Sequence, residues 1–259
     1  MPPIQALFCD LDETLAADSE STRLSLLRII PKIVERYPSL SPDVVFTTFK
    51  QLNNRHWEQY EDSALKNLVD PLEVRTYIWN EVFHALKIRN PDLAAYIAAE
   101  FQQVRMETYR CYEDTIPVLK SLRSKMPVIL VTNGNSRMQR DKIAVCGLEP
   151  YFQAIFIAQE VGFSKPDRRI YDLAFTTAEV TPEAVLMVGD SAEKDILGAK
   201  AIGCRTAWMR RNHAKPIEHD PHPDFRVHNM EEVLRIIEPS GSDTTNESMT
   251  VADIVRDLA

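Results

Sequence analysis

A doubly wound α/β parallel sheet carrying an all-helical insertion is the fold class this chain predicts, and three observations carry it. Short β-branched runs recur at residues 4–9, 128–131, 155–157, 185–188 and 206–209, as strands buried on both faces of a parallel sheet do. Helical patterns fill the later intervals, two of them closed by a glycine, Gly147 and Gly203, where helices commonly stop. The third observation is a break in this alternation: residues 19–111 are rich in helix formers, Trp and Tyr, with no convincing strand. Strand alternating with helix favours a doubly wound, Rossmann-like sheet over a barrel or sandwich.

Taken in order, the first strand at 4–9 is followed by four candidate helices at 20–37, 42–60, 71–86 and 91–109. Pro42, Pro71 and Pro91 stand at helix starts, where a missing N–H costs little. Further helices are expected at 116–125, 136–146, 166–178 and 193–202, between the remaining strands. The sheet-bearing part is therefore discontinuous. Residues 239–248 (PSGSDTTNES) have a flexible-linker composition. Beyond them Val251, Ile254, Val255 and Leu258 fall at i, i+3, i+4 and i+7, and Thr250 with Asp253 suits a capping box, so a short amphipathic helix that folds back on its own domain is expected.

The chain has 259 residues, 44% hydrophobic and 26% charged, enough to bury a sizeable core without an external staple. Cys9, Cys111, Cys146 and Cys204 show no C-x-x-C spacing, which argues against a zinc site or a redox dithiol and for free thiols in a reducing cytoplasm. A net charge of -8 and a pI near 5.3 work against a broad grip on nucleic acid or anionic lipid. The N-terminus lacks a basic start and a signal-length apolar stretch, and every apolar run is too short to span a bilayer. A cytoplasmic monomer or small homo-oligomer, with no nucleic-acid or membrane partner, is expected.

Four polar clusters carry the chemistry. Asp10 and Asp12 follow the first strand, at the carboxyl edge where doubly wound sheets bind ligands. Thr132, Asn133 and Gly134 end the second, offering a hydroxyl, an amide and a flexible backbone to phosphate oxygens. Lys165 stands just before a helix with Pro166 in its first turn, and Gly189-Asp190 with Asp195 runs out of the fourth strand into acids. Each alone reads as an ordinary turn, loop or surface lysine. At four strand ends together they suit one anionic substrate and one hard cation.

These clusters resemble the signature motifs of the haloacid dehalogenase superfamily, in its phosphatase branch. D-x-D-x-T is Asp10, Asp12 and Thr14; the strand-end hydroxyl is Thr132; the lysine is Lys165; and G-D-x-x-x-x-D is Gly189, Asp190 and Asp195. The resemblance covers residues 4–237 and implies an α/β core at 1–17 and 113–237 and a helical cap at 18–112, followed by the linker (238–248) and terminal helix (249–259). It further implies Mg²⁺ held by Asp10, the Asp12 carbonyl and Asp190, with Asp195 and Thr14 in support. Asp10 would be the nucleophile and Asp12 the acid/base, while Lys165, Thr132 and the Asn133 backbone bind the phosphoryl group. Where many relatives have Gly, this chain has Glu13.

The expected activity is thus Mg²⁺-dependent hydrolysis of a small phosphorylated metabolite, of nucleoside monophosphate or sugar phosphate type. Asp12 opposes a 2-haloacid dehalogenase, which needs no acid for its leaving group; halide release without magnesium would mark one. A phosphomutase shares the acid and stays open, and the intact motifs argue against a non-catalytic metabolite-binding relative. Substrate contacts are sought in the cap among Arg55, His56, Trp57, Tyr60 and Trp79. For each the plainer role is the more common, Trp57 and Trp79 as cap core and Arg55 and His56 on a solvated helix face.

Overall fold

A computed structural model describes residues 2–59, 67–211 and 219–239. Six parallel strands form one sheet in the order β3-β2-β1-β4-β5-β6, comprising β1 (Ala6–Cys9), β2 (Val128–Thr132), β3 (Ala154–Ile157), β4 (Val185–Gly189), β5 (Arg205–Met209) and β6 (Phe225–Val227). The first five fall on the β-branched runs. β6 is an addition: three residues with one fully buried apolar side chain, Val227, are too short for a periodic signal.

Alternation along each strand serves two cores. Leu7, Cys9, Leu130, Leu186 and Val188 face α5 (Thr115–Leu122) and α8 (Met230–Ile237), packing on Val118, Leu119 and Val233. Ala6, Phe8, Ile129, Val131 and Met187 pack on Ile170, Tyr171, Ala174 and Phe175 of α7 (Arg168–Ala178) on the opposite face. α6 (Ser136–Val145) follows β2, and a π-type turn, Ala192–Leu197, follows β4 where a regular helix is expected.

Between β1 and α5 lie four helices, α1 (Asp18–Arg36), α2 (Pro42–Glu58), α3 (Pro71–Ala85) and α4 (Pro91–Thr108). Ser41, Asp70 and Asn90 each cap the proline-started helix that follows through a side-chain acceptor. The four helices bury a third core in which Phe49 lies 4.9 Å from Trp79 and 5.1 Å from Phe101, centroid to centroid. No helix among the described residues is long and apolar enough to cross a membrane. The terminal helix expected at 249–259, nearly all of the 238–248 linker, and Tyr60 lie outside the described residues.

Candidate active site

Parallel strands bring their carboxyl ends to one edge of the sheet, and the four polar clusters converge there. Asp10 leaves β1 with its N–H donated to the Val188 carbonyl at 2.9 Å. The Lys165 ammonium donates to Asp10 Oδ1 at 2.7 Å and to Asp195 Oδ1 at 2.6 Å. With Lys165 only 2% exposed and Asp195 1%, both contacts are shielded from water. Asn133 fixes the lysine's backbone by accepting from its N–H at 2.8 Å and donating to its carbonyl at 2.9 Å. That side-chain task was not read from the sequence, where the Asn133 backbone was the expected contributor.

Asp195 is held from behind, its Oδ2 accepting from the Ser191 N–H at 3.0 Å. The approach is so close that a Cβ on Gly189 would lie 2.2 Å from the Asp195 carboxyl carbon, so only glycine fits. One oxygen from each of Asp10, Asp190 and Asp195 lies within 4.8 Å of the others. Burial pushes the Asp10 carboxyl above the usual range, with Lys165 opposing and Asp195 adding to the rise. Lys165 is itself raised: burial disfavours its charge, but Asp10 and Asp195 more than offset that. Three carboxylates form a hard-oxygen donor set, which suits a hard divalent cation.

Asp12 looks the other way and has its own cation. Lys142 Nζ donates to both Asp12 oxygens at 2.8 Å, the Tyr109 hydroxyl to Oδ1 at 2.7 Å and Gln139 Nε2 to Oδ2 at 3.1 Å. Gln139 Nε2 also donates to the Thr132 hydroxyl at 2.8 Å, linking the second motif to the first. Lys142 reaches Asp18 Oδ1 at 2.8 Å as well, and Arg105 binds the same carboxylate. Burial raises the Asp12 carboxyl, opposed by Lys142 and reinforced by Asp18 and Asp10.

Sequence reasoning missed Lys142, Gln139, Tyr109, Asp18 and Arg105. Gln139 and Lys142, three apart on one face of α6, left a faint trace; the others come from opposite ends of the four-helix segment and left none. Thr14 is fully buried, its hydroxyl without a partner among the described residues and its carbonyl accepting from Arg211 at 2.9 and 3.1 Å. Glu13 adopts φ +59, the left-handed conformation glycine takes freely, and its carboxylate accepts from the Ser19 N–H at 2.6 Å.

In the helical segment Trp79 is fully buried among rings, and Arg55 is exposed. His56 corrects the expectation of a solvated face: it is buried, with the Tyr77 ring edge-on at 5.4 Å, because α3 covers that side of α2. Trp57 is partly buried and donates to Asn53 Oδ1 at 3.1 Å.

Residues 4–203 match the family model of haloacid dehalogenase-like hydrolases. The chain belongs to that family. This haloacid dehalogenase-like hydrolase is 26% identical over 240 residues to human N-acylneuraminate-9-phosphatase, covering 91% of this chain and 94% of that one. It is 28% identical over 213 residues to the Escherichia coli pyrimidine 5'-nucleotidase YjjG, covering 82% and 88%. The magnesium-bound crystal structure of the Bacillus subtilis HAD-hydrolase YfnB superposes with a TM-score of 0.72 at 22% identity, over 91% of this chain and 99% of that one.

Proposed function

We propose that this hydrolase is a magnesium-dependent phosphatase of small phosphate monoesters, working through an aspartyl-phosphate on Asp10. The observation that carries the reading is the separation of the two aspartates: Asp10 shares the buried ammonium of Lys165, whereas Asp12, two residues on, sits in the separate cationic shell of Lys142. One carboxylate is thereby suited to attack and the other to proton exchange.

Asp10, Asp190 and the Asp12 carbonyl would hold Mg²⁺, which supplies positive charge to phosphoryl oxygens when bound. Lys165 neutralises the dianion so that Asp10 can attack phosphorus in line. The leaving oxygen takes its proton from Asp12, which then removes one from the water that hydrolyses the aspartyl-phosphate, a role worth ~10² to 10⁴ in rate. Thr132 and the Asn133 backbone hold the phosphoryl oxygens, and Asp195 orients Lys165. Residues 18–112 act as a cap over a core formed by 1–17 and 113–237, and four thiols free of disulfides suit a reducing cytoplasm.

N-Acylneuraminate 9-phosphates and pyrimidine 5'-nucleotides, the substrates named for the two relatives, are the first to try. Phosphate release with and without magnesium, with Asp10→Asn as the blank, tests the proposal. Magnesium-dependent turnover lost in the variant supports it; turnover that survives Asp10→Asn defeats the covalent mechanism.

A further inference from the structure

Charge on the leaving-group side of Asp12 does not cancel. Arg75 on α3 is 3% exposed, yet among the described residues no carboxylate pairs with it. Its one hydrogen bond there is long, Nε to Gln102 Oε1 at 3.4 Å, and neither terminal nitrogen has a hydrogen-bond partner among the described residues. The guanidinium lies 5.3 Å from the Phe101 ring centroid and 6.0 Å from that of Trp57. Burying a guanidinium without a counter-ion is costly. Burial lowers the Arg75 pKa to about 9, with repulsion from Arg105 in the same direction and Asp18 and Asp12 opposing.

Arg75 and Arg105 stand over the same Phe101 ring, 5.3 and 5.9 Å from its centroid, which places Arg75 beside the network around Asp12 and Asp18. Asp18 cannot serve as its private counter-ion, because Arg105 and Lys142 already bind that carboxylate. Arg105 has an orphan of its own: its Nε is buried with no partner among the described residues. Among the described residues Lys142, Arg105 and Arg75 therefore face two carboxylates, Asp12 and Asp18, a surplus of one positive charge. The phosphoryl side instead gathers the acids Asp10, Asp190 and Asp195 about Lys165.

We propose that Arg75 anchors a second anion subsite and that the substrate is the phosphate monoester of an organic acid, its carboxylate bound by the two free terminal nitrogens. The inference rests on the phosphatase reading, in which Asp12 faces the leaving oxygen. A planar guanidinium stacked on Trp57 and Phe101 presents a fork that matches a carboxylate bidentately, and a lysine would not reproduce it. A leaving group without a second anion, such as a nucleoside or a neutral sugar, leaves the fork unmet.

The test is binding to the full chain carrying Asp10→Asn, with magnesium, measured by calorimetry for two pairs of probes. One pair is N-acetylneuraminate 9-phosphate and its C1 methyl ester; the other is 3-phosphoglycerate and glycerol 3-phosphate. In at least one pair the acid is expected to bind about tenfold or more tightly than its neutral partner, and adding Arg75→Met should bring that ratio near one, with Arg75→Lys between. Equal affinities within both pairs, or a ratio unmoved by Arg75→Met, overturn the subsite. If Arg75→Met fails to fold, as thermal melting would show, the comparison in Asp10→Asn alone decides. Acid preference without turnover of any ester by the unsubstituted protein would support the subsite while defeating the phosphatase reading.

Discussion

Lys142 and Cys111 show how much of a side chain's chemistry its neighbours set. Without Lys142 the Asp12 carboxylate keeps Tyr109 and Gln139 as its side-chain donors among the described residues. Lys142→Met is therefore expected to lower kcat by about 10² with a smaller change in KM, consistent with a misplaced acid/base; steady-state kinetics checks it, and an unchanged kcat would remove Lys142 from the account. The neighbouring Cys146 thiol draws the half-buried Cys111 down to about 7, with burial opposing. Burial raises Cys204 to about 12 and pushes Cys9 up as well. Since the thiolate is the reactive form, its share at Cys111 grows as pH rises through about 7. Labelling with iodoacetamide between about pH 6 and 9, read by peptide mass spectrometry, should modify Cys111 first. Earlier modification of Cys9 or Cys204 would contradict it.

At the scale of elements, the turns after the strands do the positioning. Asn135 caps α6 by accepting from the Met138 N–H at 3.0 Å, and its amide donates to the Leu68 carbonyl at 2.6 Å. It thereby ties the helix that carries Gln139 and Lys142 to the connection that leads into α3. Asn135→Ala should cost about 1–2 kcal/mol, measured by denaturant unfolding. Gly189→Ala drives a methyl group into Asp195. About 1–3 kcal/mol of stability should be lost, along with most activity, because the displaced carboxylate holds Lys165. A variant with full activity would show that Asp195 does not position the lysine. The four helices between β1 and α5 and five of the six strands were legible in the sequence because helix-capping residues, prolines and apolar periodicity act within a few residues. The turn at Ala192–Leu197 was not, since it forms where Asp195 reaches back to Lys165 and Ser191.

Across the whole molecule the helical segment and the sheet meet through charge. Asp18, at the start of α1, accepts from Lys142 on α6 and from Arg105 on α4. Burial would raise its carboxyl, but Arg105 and Lys142 hold it well below the usual range. A depressed folded-state pKa stabilises above the unfolded value and is lost as pH falls toward the folded one. Stability should therefore drop on acidification below about pH 4, and Asp18→Asn should flatten that drop. Chemical denaturation at a series of pH values checks this; identical slopes for both proteins would refute it.

What the sequence determined alone was whatever short windows encode: alternating strand and helix, the insertion after the first strand, and the motif residues, which adjacent parallel strands deliver to one sheet edge. Family membership was legible for the same reason, since Asp10, Thr132, Lys165 and Asp190 each lie in a run recognisable by itself. The tertiary structure decided the surroundings of Asp12 and the isolation of Arg75. Lys142 is 130 residues from Asp12, Tyr109 is 97 away, and Arg105 meets Asp18 across 87. The burial of His56 likewise depended on a second helix crossing the first. No local pattern records such contacts, because they arise only when packing of the helical core against the sheet edge removes water from groups that the chain itself keeps far apart.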